Sequence, residues 1–361
     1  MGKARIKEGI ASISPYQPGA SSHDVGRPVV KLSSNENPYG PSPRAVAAIC
    51  SAAGRVNTYP DKEARVLRSA LSKRLCLPVE AISAGNGSDD ILENLAKLYI
   101  SEGTNLVTHS AFSTYQTVAV SCGGERRLVS CPPEDDIDVE GIMDACDGKT
   151  RIILVCTPNN PTGAILEGDQ LDRLISFAGE RGIFLVLDEA YSDFSESYSS
   201  PVPRIVEEDL DVAVSRTFSK AYGLAGLRIG YCITPPRVQA YLNLVRMPFN
   251  ASSIAQEAAL EALQDEEFYR SCIERVRSGR TYLDGELRSL GLRTYPSEAN
   301  FVLASLEGVK PSAGELKEGL LGRGFAVRDC SSFGLPDHVR ISVGTEEQNR
   351  SFIAALGQVL A

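Results

Sequence analysis

Tryptophan is absent from this 361-residue chain, so stacking against any planar ligand must come from its 11 Phe and 13 Tyr residues. Histidine is scarce as well. His23, His109 and His338 stand far apart without the spacing of metal ligands, and no metal site is expected. The nine cysteines are odd in number, contain no C-x-x-C pair and scatter from Cys50 to Cys330. That pattern speaks against a disulfide framework or a zinc site and fits a reducing cytoplasm. Positive charge is in deficit: 37 Lys and Arg face 46 Asp and Glu, a net charge of -9. Such a surface is repelled by phosphate backbones and anionic lipid, so neither nucleic acid nor membrane is an expected partner. A basic cleft for a small anion remains compatible with it. No run approaches the roughly 18 apolar residues of a membrane-spanning helix. The start, Met1 to Glu8, carries basic residues without a following apolar stretch, so no secretory leader is expected.

Hydrophobic residues make up 43% of the chain and charged residues 23%, an ordinary globular composition at a length that favours two domains. Residues 1–43 are punctuated by Pro15, Pro18, Pro28, Pro38, Pro41 and Pro43 and read as an extended arm that joins a smaller domain. Further on, short apolar runs alternate with amphipathic stretches, which is the pattern of an α/β fold with parallel strands and crossover helices. The buried-strand candidates are 105–108, 151–156, 183–187, 212–215 and 228–233. Ile91, Leu92, Leu95, Leu98 and Tyr99 recur at helical spacing behind Asp89 and Asp90, whose charges suit the positive end of a helix. An amphipathic tract over about 253–290 leads into a C-terminal part with strands near 300–303, 324–328 and 339–343. The expected division is an arm at 1–43, a large domain at 44–255 and a small domain at 256–361.

Four segments follow apolar runs and carry chemistry. Arg216 to Tyr231 places Ser219 and Lys220 just after one strand and Arg228 at the start of the next. A lysine in an apolar cleft is destabilised as an ammonium ion, so its amine becomes available to an aldehyde, while Ser219 and Arg228 can grip an anion. Asp188 ends the run Ile183–Leu187, at the sheet edge where α/β ligands bind. A buried carboxylate there calls for a compensating positive group, such as a protonated ring nitrogen. The turn Cys156 to Gly163 is stiffened by two prolines and can aim Asn160 into the same cleft. Gly85-Asn-Gly-Ser-Asp-Asp90 precedes the helix and can bring the amides of Ser88 and Asp89 close to a phosphate.

In these four segments the chain resembles the fold-type I pyridoxal-phosphate enzymes, and within them the histidinol-phosphate aminotransferases. The likeness spans nearly the whole chain. Leu32-Ser-Ser-Asn-Glu-Asn-Pro-Tyr-Gly-Pro41, Asn57-Thr-Tyr-Pro-Asp61 and Val339-Arg-Ile-Ser-Val-Gly-Thr345 stand in the family's order. The resemblance implies a mainly parallel sheet with helices on both faces, a smaller α+β domain, and pyridoxal 5'-phosphate as cofactor. It implies that Lys220 holds the cofactor as a Schiff base, Asp188 pairs with the ring nitrogen, and Asn160 and Tyr191 bond the phenolic oxygen. Phe112 would stack on the ring, at a position that is often Tyr in relatives. Ser88, Asp89, Ser219 and Arg228 would hold the phosphate, with Tyr59 reaching over from the second subunit of a homodimer. Tyr16, Asn37, Arg328 and Arg340 would face substrate. The implied reaction is transamination between glutamate and imidazole-acetol phosphate in histidine biosynthesis. Aromatic amino-acid transamination, threonine-phosphate decarboxylation and a non-catalytic regulatory role are the alternatives.

Overall fold

The computed structural model describes residues 4, 6–7, 9–13, 15, 26–109, 114–133 and 137–361. The expected roles of Tyr16 and Phe112 lie outside the described residues. Twelve strands are found among those described: β1 Val30–Leu32, β2 Ile82–Gly85, β3 Asn105–His109, β4 Glu125–Val129, β5 Thr150–Cys156, β6 Phe184–Asp188, β7 Val212–Thr217, β8 Gly230–Ile233, β9 Arg293–Thr294, β10 Phe301–Ser305, β11 Phe325–Asp329 and β12 His338–Ser342.

Seven of them form one sheet in the order β2-β8-β7-β6-β5-β3-β4. Only β8 runs against its neighbours β2 and β7, while β7-β6-β5-β3-β4 pair in parallel. The crossovers that parallel pairing demands are helices, and they cover both faces. On one face Ile152, Leu154, Phe184, Val186 and Ala213 pack with Ile91, Leu95, Tyr115 and Val118 of the helices Gly87–Tyr99 and Thr114–Ser121. On the other, Ile153, Val155, Leu185, Leu187, Val212 and Val214 pack with Leu171 and Leu174 of the helix Gly168–Arg181. The two-residue period of a strand therefore decides where each end residue points. Asp188 lies two places beyond Val186 and shares the face of the helices that start at Gly87 and Thr114.

The second sheet has the order β1-β11-β12-β10-β9. Its edge strand β1 comes from the N-terminal arm and pairs in parallel with β11, so the arm is fastened to the C-terminal part by backbone hydrogen bonds. The tract over 253–290 forms two helices, Ser253–Gln264 and Glu266–Ser289, which meet at the non-helical Asp265. Ser252 caps the first by accepting the Ala255 amide. Strand β8 begins at Gly230, two residues later than the sequence pattern predicts, because Arg228 takes a left-handed backbone with φ 54°. No helix among the described residues is long and apolar enough to cross a membrane.

Candidate active site

The ends of β6 and β7 are locked from behind by an ion pair. Arg216 of β7 bonds the fully buried Glu189 at 2.8 Å, and Tyr198 and Ser200 donate to the same carboxylate at 2.8 and 2.6 Å. A buried charge with this many partners is retained and holds its backbone in place. In front of this lock, one cleft is lined by Lys220, Asp188, Asn160, Tyr191, Ser88, Asp89, Ser219, Arg228, Arg328 and Arg340. Ten residues predicted from sequence thus converge from two sheets.

Lys220 is half-buried and its ammonium donates to the Ser34 carbonyl of the arm at 3.0 Å. Burial, helped by the guanidinium groups of Arg340 and Arg228, pushes its pKa down to about 8, against the opposing pull of Glu36 and Asp89. A neutral amine is therefore available near neutrality. Asp188 is pushed the other way. Burial raises its carboxyl to about 6, although the Tyr115 hydroxyl and the Ala190 amide favour the charged form. Tyr115 donates to Oδ2 at 2.7 Å, while Oδ1 is buried and has no hydrogen-bond partner among the described residues.

The helix Gly87–Tyr99 starts without a side-chain cap and with two acidic residues in its first turn, so its leading amides face the cleft with the positive end of the helix dipole. Gly87 has φ +81°, and a Cβ there would lie 2.7 Å from an Arg228 nitrogen. The positive φ calls for glycine, whereas the flexible Arg228 tip could swing aside from a Cβ. Arg228 is 3.2 Å from Asp89 and 3.4 Å from the Ser219 hydroxyl, which in turn is 2.9 Å from Thr217. Amides, hydroxyls and a guanidinium around one point form an anion cradle.

Arg328 and Arg340 stand directly opposite each other on β11 and β12. Both are buried, and both pack against the Phe333 ring, at 5.6 and 5.9 Å. Arg340 also bonds the Ser33 carbonyl at 2.8 Å and the Asn160 side chain. Like charges facing across a strand pair repel, and an anion between them relieves that repulsion.

Two predicted residues do not enter the cleft. Asn37 donates to the Ala221 carbonyl at 2.8 Å and accepts the Tyr39 amide at 2.9 Å, so both ends of its amide brace the backbone next to Lys220 rather than facing substrate. Tyr59 is 83% exposed, stacks on Phe249 at 4.6 Å, and lines a separate surface groove that it shares with Arg228. In turn, sequence reasoning missed Asn35, Tyr115 and Phe333. Asn35 stands inside the quoted Asn-Glu-Asn-Pro segment, and Tyr115 at the first turn of a helix whose apolar spacing disguises it as core.

The sequence pattern of the family "Aminotransferase class I and II" matches residues 27–356, and the chain belongs to that family. Histidinol-phosphate aminotransferase of Symbiobacterium thermophilum is 39% identical, over 98% of this chain and 98% of its own length. That of Bacillus subtilis strain 168 is 37% identical over 99% and 100%. Among solved structures, histidinol-phosphate aminotransferase from Sinorhizobium meliloti in complex with pyridoxal-5'-phosphate superposes with a TM-score of 0.85 at 27% identity, covering 99% and 98% of the two chains.

Proposed function

We propose that this protein is a pyridoxal-phosphate-dependent histidinol-phosphate aminotransferase, which passes an amino group between glutamate and imidazole-acetol phosphate in histidine biosynthesis. The observation that carries the reading is the facing pair Arg328 and Arg340 in the cleft that also holds Lys220 and Asp188. A guanidinium pair grips a carboxylate or a phosphate with similar geometry, so one pocket serves both half-reactions.

The residues present fit the cofactor. The unpartnered buried oxygen of Asp188 suits a protonated ring nitrogen, the Lys220 amine suits an aldehyde, and the cradle of Ser88, Asp89, Ser219 and Arg228 suits a phosphate. Asn160 and Tyr191 line the same cleft and suit the ring's phenolic oxygen. Once bound, the cofactor supplies an electron sink for a carbanion at the substrate Cα. Lys220 Nζ, whose amine is readily neutral in the cleft, would take the substrate Cα proton and later return it as general acid. Asp188 holds its negative charge at the ring nitrogen. Tyr191 is held neutral by burial, ahead of the opposing effects of Arg340 and Asn35, so it keeps a proton to donate. Arg328 and Arg340 orient the anionic end of each substrate.

The exposed Tyr59–Phe249 stack, beside Arg228, supports a homodimer in which Tyr59 reaches the partner's phosphate cradle. The reading places the enzyme in the cytoplasm, where its substrates and reduced thiols occur. The test offers glutamate to the loaded protein against imidazole-acetol phosphate and a panel of aromatic and aliphatic keto acids. A kcat/KM for imidazole-acetol phosphate well above all others supports the assignment; preference for an aromatic keto acid, or release of carbon dioxide from threonine phosphate, replaces it.

A further inference from the structure

The hydroxyl of Tyr115 is turned inward, although nothing about its helix position demands a polar group. Its side chain is fully buried in the apolar layer between the helix Thr114–Ser121 and the sheet, beside Ile152, Leu154 and Val186. A phenol buried there loses its water and needs a partner. It finds one carboxylate oxygen, Asp188 Oδ2, at 2.7 Å. Cys156, the register partner of Asp188 on β5, lies on the same face, and its thiol is pushed up by burial and by the Asp188 charge.

We propose that Tyr115 is a positioning residue of the active site: by holding Oδ2 it fixes the Asp188 carboxylate so that Oδ1 alone is presented to the cofactor's ring nitrogen. The proposal rests on the functional reading above. A carboxylate on its own turns about its Cβ–Cγ bond and has two equivalent oxygens. One donor behind it removes that freedom and marks the outer oxygen as the acceptor. Of the other groups around the carboxylate, the Ala190 backbone amide also favours its charged form, and Tyr115→Phe leaves that amide in place. Asp89 on the helix Gly87–Tyr99 and the neighbouring Glu189 both oppose its charge. His109, at the end of β3, accepts the Cys156 amide through Nε2 at 3.1 Å and is kept neutral by burial, its pKa down at about 4. Tyr115 is the side-chain donor that favours the charged carboxylate.

The experiment uses full-length protein with pyridoxal phosphate labelled with 15N in the ring. Tyr115→Phe should weaken cofactor binding by about tenfold, the scale of a hydrogen bond to a charged group. It should also move the ring 15N resonance toward the unprotonated position, because a carboxylate without its donor is more basic and draws the shared proton to itself. In an Asp188→Asn background the same substitution should change affinity by less than about twofold, since the coupled partner is gone. Should the Phe variant fold poorly, 3-fluorotyrosine at position 115 serves instead. As a stronger donor it should shift the resonance the opposite way. Cofactor affinity and 15N resonance left in place by Tyr115→Phe, or an equal loss in both backgrounds, overturns the positioning role. Failure of the unaltered protein to bind pyridoxal phosphate overturns the functional reading and this proposal with it.

Discussion

The side-chain amide of Asn35 donates to the Tyr191 hydroxyl at 3.1 Å, while its oxygen accepts the Ser342 hydroxyl at 2.8 Å. Its backbone is committed too. The Asn35 amide donates to Ser342 at 2.9 Å and its carbonyl accepts Asn300 at 3.0 Å, all of this at a left-handed φ of 54° that asparagine tolerates better than most residues. One residue of the arm thus ties β12 to a cleft-lining tyrosine just beyond β6 of the other sheet. Asn35→Ala should cost about 1–3 kcal/mol, because the buried Ser342 and Tyr191 hydroxyls both lose a partner. Denaturant unfolding measures the loss. Adding Tyr191→Phe should then cost less than it does in the unaltered protein, and strict additivity of the two would mean that the bond carries no energy.

Asp188 sets stability against binding. Its folded pKa of about 6 lies above the ordinary carboxylate value, so the cofactor-free protein holds the proton more tightly than the unfolded chain does. Between about pH 4 and 6 the native state binds more protons than the unfolded one, and stability contributed by this group falls as pH rises through that window. Asp188→Asn removes the charge. The cofactor-free variant should therefore melt at a higher temperature than the parent at pH 7, with the advantage fading as pH drops from about 6 to 4, and it should bind the cofactor poorly. Melting curves at pH 4, 5.5 and 7 decide it; a variant no more stable at pH 7 would show that the buried carboxylate imposes no penalty.

Lys220→Ala should abolish turnover and covalent capture of the cofactor by borohydride while leaving the fold unaltered, since a methyl group cannot attack an aldehyde. The cofactor-free Lys220→Ala protein should also be more stable than its parent below about pH 8. With the folded lysine at about 8 and the unfolded one near 10.5, the unfolded chain binds the extra proton between those values, so the parent regains stability only as pH rises through them. Reducible attachment of the cofactor at another residue, with turnover retained, would displace Lys220 from its role.

Much of this site was legible because buried parallel strands are written as continuous apolar runs, and the chemistry sits where they stop. Runs ending near Cys156, Leu187 and Ser215 led directly to Asn160, Asp188 and Lys220. Strand β4 escaped because it is an edge strand of the sequence Glu-Arg-Arg-Leu-Val, with charges that protect an open edge and hide the pattern. Three-residue β1 is too short to show alternation, and only its pairing with β11, almost 300 residues away, makes it a strand. Tyr115 looked like core because its ring is core; the contact of its hydroxyl with Asp188 spans 73 residues. The placement of Asn37 was hidden for a related reason, since the Ala221 carbonyl it bonds is 184 residues away.

In the proposed reaction Arg340 anchors the substrate anion with its planar fork, and it also bonds the Ser33 carbonyl. Arg340→Lys keeps the charge and loses the fork. We expect kcat/KM to fall by roughly tenfold to a hundredfold for both glutamate and the phosphate-ester substrate, the range of one or two charge-assisted hydrogen bonds. Steady-state kinetics with each substrate varied in turn is the check. A loss confined to one substrate would assign the second anion to Arg328.

Tyr59 poses the question of where a site ends. At 83% exposure it is an uncommonly bare aromatic, and the groove it lines with Phe249 and Pro248 opens beside Arg228 rather than into the chain's own cleft. In a two-fold dimer the same patch is used twice, so a residue lent across it completes the partner's site reciprocally. Lys220→Ala and Tyr59→Ala should each be nearly inactive as homodimers. Refolded together, they form mixed dimers in which the chain that retains Lys220 receives Tyr59 from its Lys220→Ala partner, while the other site carries both lesions. Random pairing makes about half the dimers mixed, each with one intact site of two, so activity should recover to roughly one quarter of the unaltered protein. If Tyr59 served its own chain, every site in a mixed dimer would lack one of the two residues. Confirmed mixed dimers without recovered activity would therefore return Tyr59 to its own subunit.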